Sequence, residues 1–266
     1  MAISTRALDR VRLAPGLSAA EVHAHTTASD GMVSPEELVA AAAAAGIAVI
    51  CVTDHDTMAS TARAVEAGAG QGVDVVPGEE VTTAAPASVH VVGLWLERPV
   101  RMGMSIEDTV DAIHDQGGVV LLPHPFMPTY FASITARRAL RLLEHRTVDG
   151  IEIRHTAPMT GRAQSQLDGF YAEHRDRLGA ALGAGDSHFG RHDLGRMLTA
   201  FPGRTGADLR RAIAGRTTSP MCGITPQPPS LLLRLAQQRR SLLWLPAERR
   251  AGRVGRGEGP VAASRR

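Results

Sequence analysis

Residues 21–57 read EVHAHTTASDGMVSPEELVAAAAAAGIAVICVTDHDT, and this stretch sets the expectation for the whole chain. His23 and His25 stand two positions apart, so on an extended strand both imidazoles point to one face. One metal ion could then be reached by both at about 2.0–2.2 Å. Asp30 follows closely in an SDG turn. Ser34-Pro35-Glu36-Glu37 is a helix start, with Ser as N-cap, Pro at the first position and acids in the first turn. The alanine-rich run ends at Gly46. IAVICVT then has strand length and no polar alternation, as in parallel strands covered on both faces. It ends in Asp54-His55.

The pattern repeats outward from there. Residues 57–67 read as a helix broken by Gly68, Gly70 and Gly72, and VDVVPGEEVTT as a strand ending in acids. VHVVGLWL is a further strand. Ser105 caps a helix over 105–116, with Asp108 three positions on as in a capping box. VVLLPHP, VDGIEIRH and ALGAGDSH read as strands separated by helices over 136–144 and 161–178, and a last helix covers 205–214. Alternating strands and helices predict parallel βα units. The polar residues collect at the strand ends: Asp54-His55, Glu79-Glu80, His124, Arg154-His155 and Asp186-Ser187-His188. Barrel enzymes carry their chemistry at that end of the strands, so the expected fold class is an α/β barrel.

HxHTxxSDG, TDHD, GEEVTT, HVVGL, PHPF and GDSH occur in that order over roughly residues 20–215. With these motifs the chain resembles the PHP family (polymerase and histidinol phosphatase) of metal-dependent phosphoesterases. The resemblance implies a distorted seven-stranded (β/α) TIM-like barrel and up to three divalent ions of Mn, Zn or Fe. It implies that His23, His25, Glu80 and Asp186 hold the first ion. Glu80 would bridge to a second ion held by His90 and His124, and Asp30, His55 and His188 would hold a third. The PGxE pattern selects Glu80 over its neighbour Glu79. Asp54 is expected to orient a ligand imidazole, and Glu21 to support the ligands from behind. Two cations about 3.5–4 Å apart can clamp an in-line phosphoryl displacement and lower the pKa of a bound water. The implied activity is phosphate-ester hydrolysis through a metal-bound hydroxide, with Asp186, His188 and Glu80 at the reacting centre. Arg154 or His155 would contact the phosphate, only one of the two facing the pocket by strand alternation. His114, His145, His174 and His192 are read as ordinary core or surface residues.

Composition narrows the alternatives. The 266 residues carry a net charge of +2, but residues 227–266 hold nine arginines against two glutamates, leaving the body acidic at −5. An acidic body is not the footprint of a long-nucleic-acid binder, so a small phosphorylated molecule is the expected partner. The two cysteines make no disulfide framework, and Cys51 reads as a small buried hydrophobe. No run reaches the roughly 18 apolar residues of a membrane span, and the arginine-bearing start lacks a signal-peptide core. The cytoplasm is the expected compartment, and the oligomeric state is left open.

The domain reading is a leader over 1–18, a hydrolase domain over 19–225, and a proline-led linker, amphipathic helix and basic disordered tail over 226–266. That helix is expected to pack on the barrel because Leu231, Leu235, Leu242 and Trp244 need burial. Only Glu97–Met104 joins the HVVGL strand to the next helix. The helical insert that shapes the nucleotide pocket of exonuclease relatives is therefore absent. PGEEVTT also resembles PHP metallohydrolases of the carbaryl-hydrolase type, so cleavage of an ester or other non-phosphate bond is the second reading. A non-catalytic metal-binding module is the third.

Overall fold

A computed structural model of the chain describes residues 10–86, 88–127 and 132–255. The expectations for residues 1–9 of the leader and for the tail from residue 256 fall outside the described residues.

The first strand, β1 (Leu17–Glu21), is followed by helix α1 (Pro35–Ala45) and strand β2 (Val49–Val52). The start of α1 is as read from the sequence. The Ser34 side chain accepts from the Glu37 amide, Glu37 returns the bond, and Gly46 ends the helix in the left-handed region. β2 is buried at every position, as expected for a strand covered on both faces. Next come α2 (Thr61–Gln71), β3 (Asp74–Thr82), β4 (His90–Leu94), α3 (Ile106–His114), β5 (Val119–Leu122), α4 (Ala136–His145), β6 (Gly150–His155), α5 (Gly161–Leu178) and β7 (Ala180–Ala184). Gly68 and Gly70 lie inside α2 rather than ending it. At Gly68 a β-carbon would stand 2.6 Å from the Val73 carbonyl oxygen, so glycine lets the helix lie against the start of β3.

Within β1–β7 most neighbouring strands are parallel, but β4 runs antiparallel to both β3 and β5. Seven residues separate β3 from β4, too few for a parallel crossover, which needs a dozen or more. The chain then adds β8 (Met197–Pro202), helix α6 (Gly206–Ala214) and β9 (Ser219–Cys222). β8 pairs antiparallel with β1, and β9 antiparallel with β8. The nine strands lie in the order β7-β6-β5-β4-β3-β2-β1-β8-β9.

The sheet curls until its two ends meet. Beyond β1, Ala24 bridges in parallel to Ser187, beyond β7. The Ser187 carbonyl accepts from the His25 amide at 2.8 Å. Lower down, the Thr199 hydroxyl on β8 accepts from the Gly183 amide at 3.0 Å and donates to the Gly183 carbonyl at 2.8 Å. The result is a nearly closed, distorted barrel of TIM-like type. Apolar side chains fill it, among them Val22, Val49, Cys51, Val92, Leu121, Leu182 and Phe201, all fully buried.

The C-terminal segment contains α7 (Leu231–Arg239), one π-helical turn (Arg240–Trp244) and α8 (Leu245–Arg250). It docks on the barrel, but not for the reason the sequence suggested. Leu231, Leu235 and Leu242 are 71%, 52% and 67% exposed, and Trp244 is half-buried. The docked face is polar, and Leu245 is the buried leucine of the segment.

Replacing Thr199 with Val keeps the volume but leaves both Gly183 backbone groups without partners. Each buried orphan costs about 1–3 kcal/mol. Thr199→Val is expected to destabilise the fold by about 2 kcal/mol or more in urea titration; a change under about 0.5 kcal/mol would mean that this contact does not hold the seam.

Candidate metal centre

The strand ends place the motif residues at one mouth of the barrel. His23 and His25 lie just past β1 on extended backbone, both fully buried, and face the same point. Glu80 on β3 is 1% exposed and lies between five imidazoles. Its Oε2 stands 3.1 Å from His23 Nε2, 3.3 Å from His25 Nε2 and 3.1 Å from His55 Nδ1. Its Oε1 stands 2.8 Å from His90 Nδ1 and 3.0 Å from His124 Nε2. One carboxylate thus turns one oxygen to each side of the cluster. Asp186 Oδ1 is 3.0 Å from His25 Nε2 and 3.5 Å from His23 Nε2. Asp30 Oδ1 is 3.2 Å from His188 Nε2 and 3.7 Å from His55 Nε2.

Three sets of ligand atoms, each within 4.8 Å of one another, emerge among the described residues: His23, His25, Glu80 and Asp186; His25, Asp30, His55 and His188; and His55, Glu80 and His90. The first matches the expected set. The second adds His25 to the expected trio. In the third, His55 stands where His124 was expected, although His124 also reaches Glu80.

The donor set fits divalent cations. Buried His23 Nε2, His55 Nδ1 and His90 Nδ1 form no hydrogen bond, yet each lies about 3 Å from a Glu80 oxygen. Orphaned ring nitrogens converging on carboxylates are what metal ligands look like without a metal. Mixed imidazole and carboxylate ligation suits Mn, Fe or Zn.

The remaining polar residues support this cluster from behind. Buried Glu152 on β6 accepts from His23 Nδ1 at 2.8 Å, fixing which ring nitrogen faces inward, and from the His124 amide at 2.7 Å. The sequence reading passed over Glu152. A carboxylate in the apolar run GIEI was the available signal, but a register shift between Glu152 and Arg154 defeats simple alternation. That shift also sets which of Arg154 and His155 turns inward. His155 turns inward, with Nε2 3.8 Å from Asp186 Oδ2. Arg154 turns outward and pairs with Asp168 on α5 at 2.6 Å, so its expected phosphate contact is corrected.

Asp54 is corrected as well. Among the described residues it orients no imidazole; it accepts from the Thr26 amide and hydroxyl at 2.7 Å and from Ser29 and Ser60, bracing the turn that carries Asp30. In that turn a β-carbon at Gly31 would stand 2.7 Å from the Thr26 nitrogen. Glu21 accepts from the Gly185 amide at 2.8 Å, tying β1 to the residue before Asp186. Glu79 faces away and accepts from the Val100 amide at 2.7 Å. Asp186 and His124 have positive φ, 50° and 31°. Such backbone costs about 1–3 kcal/mol and is kept where the surroundings over-determine it.

Electrostatics follow from the burial. Desolvation by itself would lower His23 and His188, but the surrounding carboxylates outweigh it. Glu80, Asp186 and Glu152 hold His23 well above its usual range, and Asp30 and Asp186 push His188 up to about 10. Burial would raise Asp30, Glu80 and Asp186, and the nearby imidazoles hold all three well below the usual carboxylate range. In the metal-free chain, protons on imidazole thus compensate the buried carboxylates.

A cavity of about 640 Å³ opens onto the cluster, lined by Asp30, His55, Glu80, Asp186 and His188. Its outer wall includes Arg196, Arg234, Gln237 and Ser241. Neither arginine pairs with a carboxylate among the described residues, in contrast to Arg154. From the sequence Arg234 counted only among the arginines of the basic tail, and Arg196 belonged to no motif.

A barrel whose strand ends gather buried histidines and carboxylates around an open cavity is the architecture of a metal-dependent hydrolase. The chain belongs to the PHP domain family, whose model matches residues 21–194. It is thereby a member of a metal-dependent phosphoesterase family. A 3′,5′-nucleoside bisphosphate phosphatase of Chromobacterium violaceum is 28% identical over 204 residues, 67% of this chain and 69% of that protein. The 5′-3′ exoribonuclease Rnm of Escherichia coli is 32% identical over 124 residues, 46% of this chain and 34% of that one. Among solved structures, a two-domain protein of Bacteroides vulgatus containing a predicted PHP-like metal-dependent phosphoesterase superposes with a TM-score of 0.66. It is 17% identical, and the match covers 89% of this chain and 75% of that one, so it speaks for the fold. Among the described residues no helix is long and apolar enough to cross a membrane.

Asp30 and Asp186 push His188 up to about 10, so a cation bound there is expected to displace a proton at neutral pH. Calorimetric titration with Mn²⁺ in two buffers of different ionisation enthalpy should show proton release at pH 7 and tighter binding as pH rises. Binding without proton release would contradict the ligand assignment.

Proposed function

We propose that the chain is a metal-dependent phosphoesterase that hydrolyses a small phosphorylated metabolite or nucleotide, using two or three divalent ions (Mn, Zn or Fe). The observation that supports this most strongly is Glu80. Its two oxygens face separate groups of imidazoles, the disposition a bridging carboxylate needs. His23, His25 and Asp186 would hold one ion, His90 and His124 a second, and Asp30, His55 and His188 a third. Bound there, the ions would supply Lewis acidity toward phosphoryl oxygens and a water acidified toward neutral pH.

The chain's own residues do the rest. The Nδ1 of His155 accepts from the Ala157 amide at 2.9 Å, and burial lowers the pKa of the ring. The neutral ring therefore carries its proton on Nε2, which points toward Asp186 and can donate to a phosphate or leaving-group oxygen. Arg196 and Arg234 face the cavity, pair with no carboxylate among the described residues, and can take up the negative charge of a phosphate dianion. The cavity volume suits a ligand of nucleotide size or below, and the acidic body favours a small substrate over long nucleic acid.

Turnover on a panel of phosphomonoesters, nucleoside 3′,5′-bisphosphates, short oligonucleotides and aryl carboxylic esters, each with Mn, Zn or Fe, tests the reading. Phosphate release that falls at least about 100-fold in Glu80→Gln and Asp186→Ala is the expected result. Ester cleavage with no phosphate release would move the chain to the non-phosphate reading. Arg196→Ala and Arg234→Ala are each expected to raise KM about tenfold, the worth of one charge-assisted hydrogen bond, whereas Arg154→Ala should leave KM within about twofold.

A further inference from the structure

The C-terminal segment bonds to the turn that carries Asp30, to the residue after His55 and to the strand that carries Glu80. Arg240 donates to the Ser29 carbonyl at 2.7 Å and to the Thr27 carbonyl, on either side of the turn leading to Asp30. Arg249 pairs with Asp56, next to His55, and donates to Thr82 Oγ1 at 2.8 Å, two residues past Glu80. Most directly, the Ser241 hydroxyl donates to Asp30 Oδ2, and Gln237 Nε2 donates to the same oxygen at 3.3 Å and to Ser241 Oγ at 3.0 Å. Asp30 Oδ1 meanwhile faces His188 and His55. Asp30 is 2% exposed, so both of its oxygens are committed: one to the imidazoles, the other to the C-terminal segment.

The face this segment presents makes the contact specific. Gln237 and Ser241 are four residues apart and share one helical face. A helix docking for hydrophobic burial would turn its leucines inward, whereas here Leu231, Leu235 and Leu242 face solvent and the polar face meets the barrel mouth. The π-helical turn Arg240–Trp244 falls at this contact, and single π turns inside α-helices are frequent at functional sites.

We propose that Ser241 and Gln237 are positioning residues of the active site. They hold the outer oxygen of Asp30 so that its inner oxygen stays directed at the ion shared with His55 and His188, and occupancy of that ion depends on the docked C-terminal segment. This rests on the metal-dependent reading above. A carboxylate with one oxygen fixed by two donors cannot swing away from its ion, and loss of such supporting bonds weakens metal affinity about 10–100-fold.

The test uses the full chain, as wild type, Ser241→Ala/Gln237→Ala and Ser241→Thr. Each is equilibrated against graded free Mn²⁺, and bound metal per chain is counted by mass spectrometry. The wild type is expected to bind three ions. The double variant should bind one of them about 10–100-fold more weakly and the other two within about twofold, with Ser241→Thr, which keeps the hydroxyl, close to wild type. Gln237→Ala alone gives an intermediate loss and serves if the double variant folds poorly. Equal occupancy in wild type and variants, weakening of all ions together, or a wild type that binds fewer than three ions would overturn the proposal. Three ions bound without phosphate release would count against the phosphoesterase reading and leave this assignment standing.

Discussion

Four carboxylates, Asp30, Glu80, Glu152 and Asp186, lie at the mouth of one barrel with almost no exposure to water. Burying an isolated ionised carboxylate costs many kcal/mol, so positive charge has to be supplied on the spot. The carboxylates raise the pKa of His23, His25 and His188, whose imidazoles supply part of that charge, and cations would supply it more fully. Much of the architecture serves this arrangement. The Ala24–Ser187 bridge brings both ends of the sheet to the same point. Glu21 ties β1 to Gly185, and Asp54 braces the Thr26–Ser29 turn.

That these histidines and carboxylates would gather at one point was legible in the sequence because it depends on short-range geometry. Two histidines two apart on extended backbone share a face whatever the rest of the chain does, and ordered motifs fixed which acids join them. Capping at Ser34 was equally local and forms with reciprocal bonds, and Thr205 caps α6 in the same way. The misses have long-range causes. β4 is antiparallel because its connection is short, a signal that was present but outweighed by the α/β rhythm. Glu152 and the Arg154–His155 choice turn on a register shift within β6 that no periodicity displays. Gly68 looked like a helix stop, but its packing against Val73 uses the missing side chain within α2.

The C-terminal segment shows the limit most clearly. Its leucines argued for a buried apolar face, but Gln237, Arg240, Ser241 and Arg249 decide how it docks. Hydrogen bonds to buried carboxylates and loop carbonyls at the barrel mouth outweigh the burial of a few leucines, because each ionised acceptor gains about 1.5–3 kcal/mol from a good donor. The segment covers the mouth of a barrel that lacks a helical insert after β4 and contributes Arg234 to the cavity wall.

If Glu80 bridges two metal ions, electron density should show an ion beside each of its oxygens. Anomalous diffraction at the manganese edge from crystals grown with Mn²⁺ tests it most directly. At least two strong peaks are expected within bonding distance of the cluster, one on each side of the Glu80 carboxylate, bordered by His23 and His25 on one side and by His90 and His124 on the other. A single peak remote from Glu80, or none at saturating metal, would contradict it.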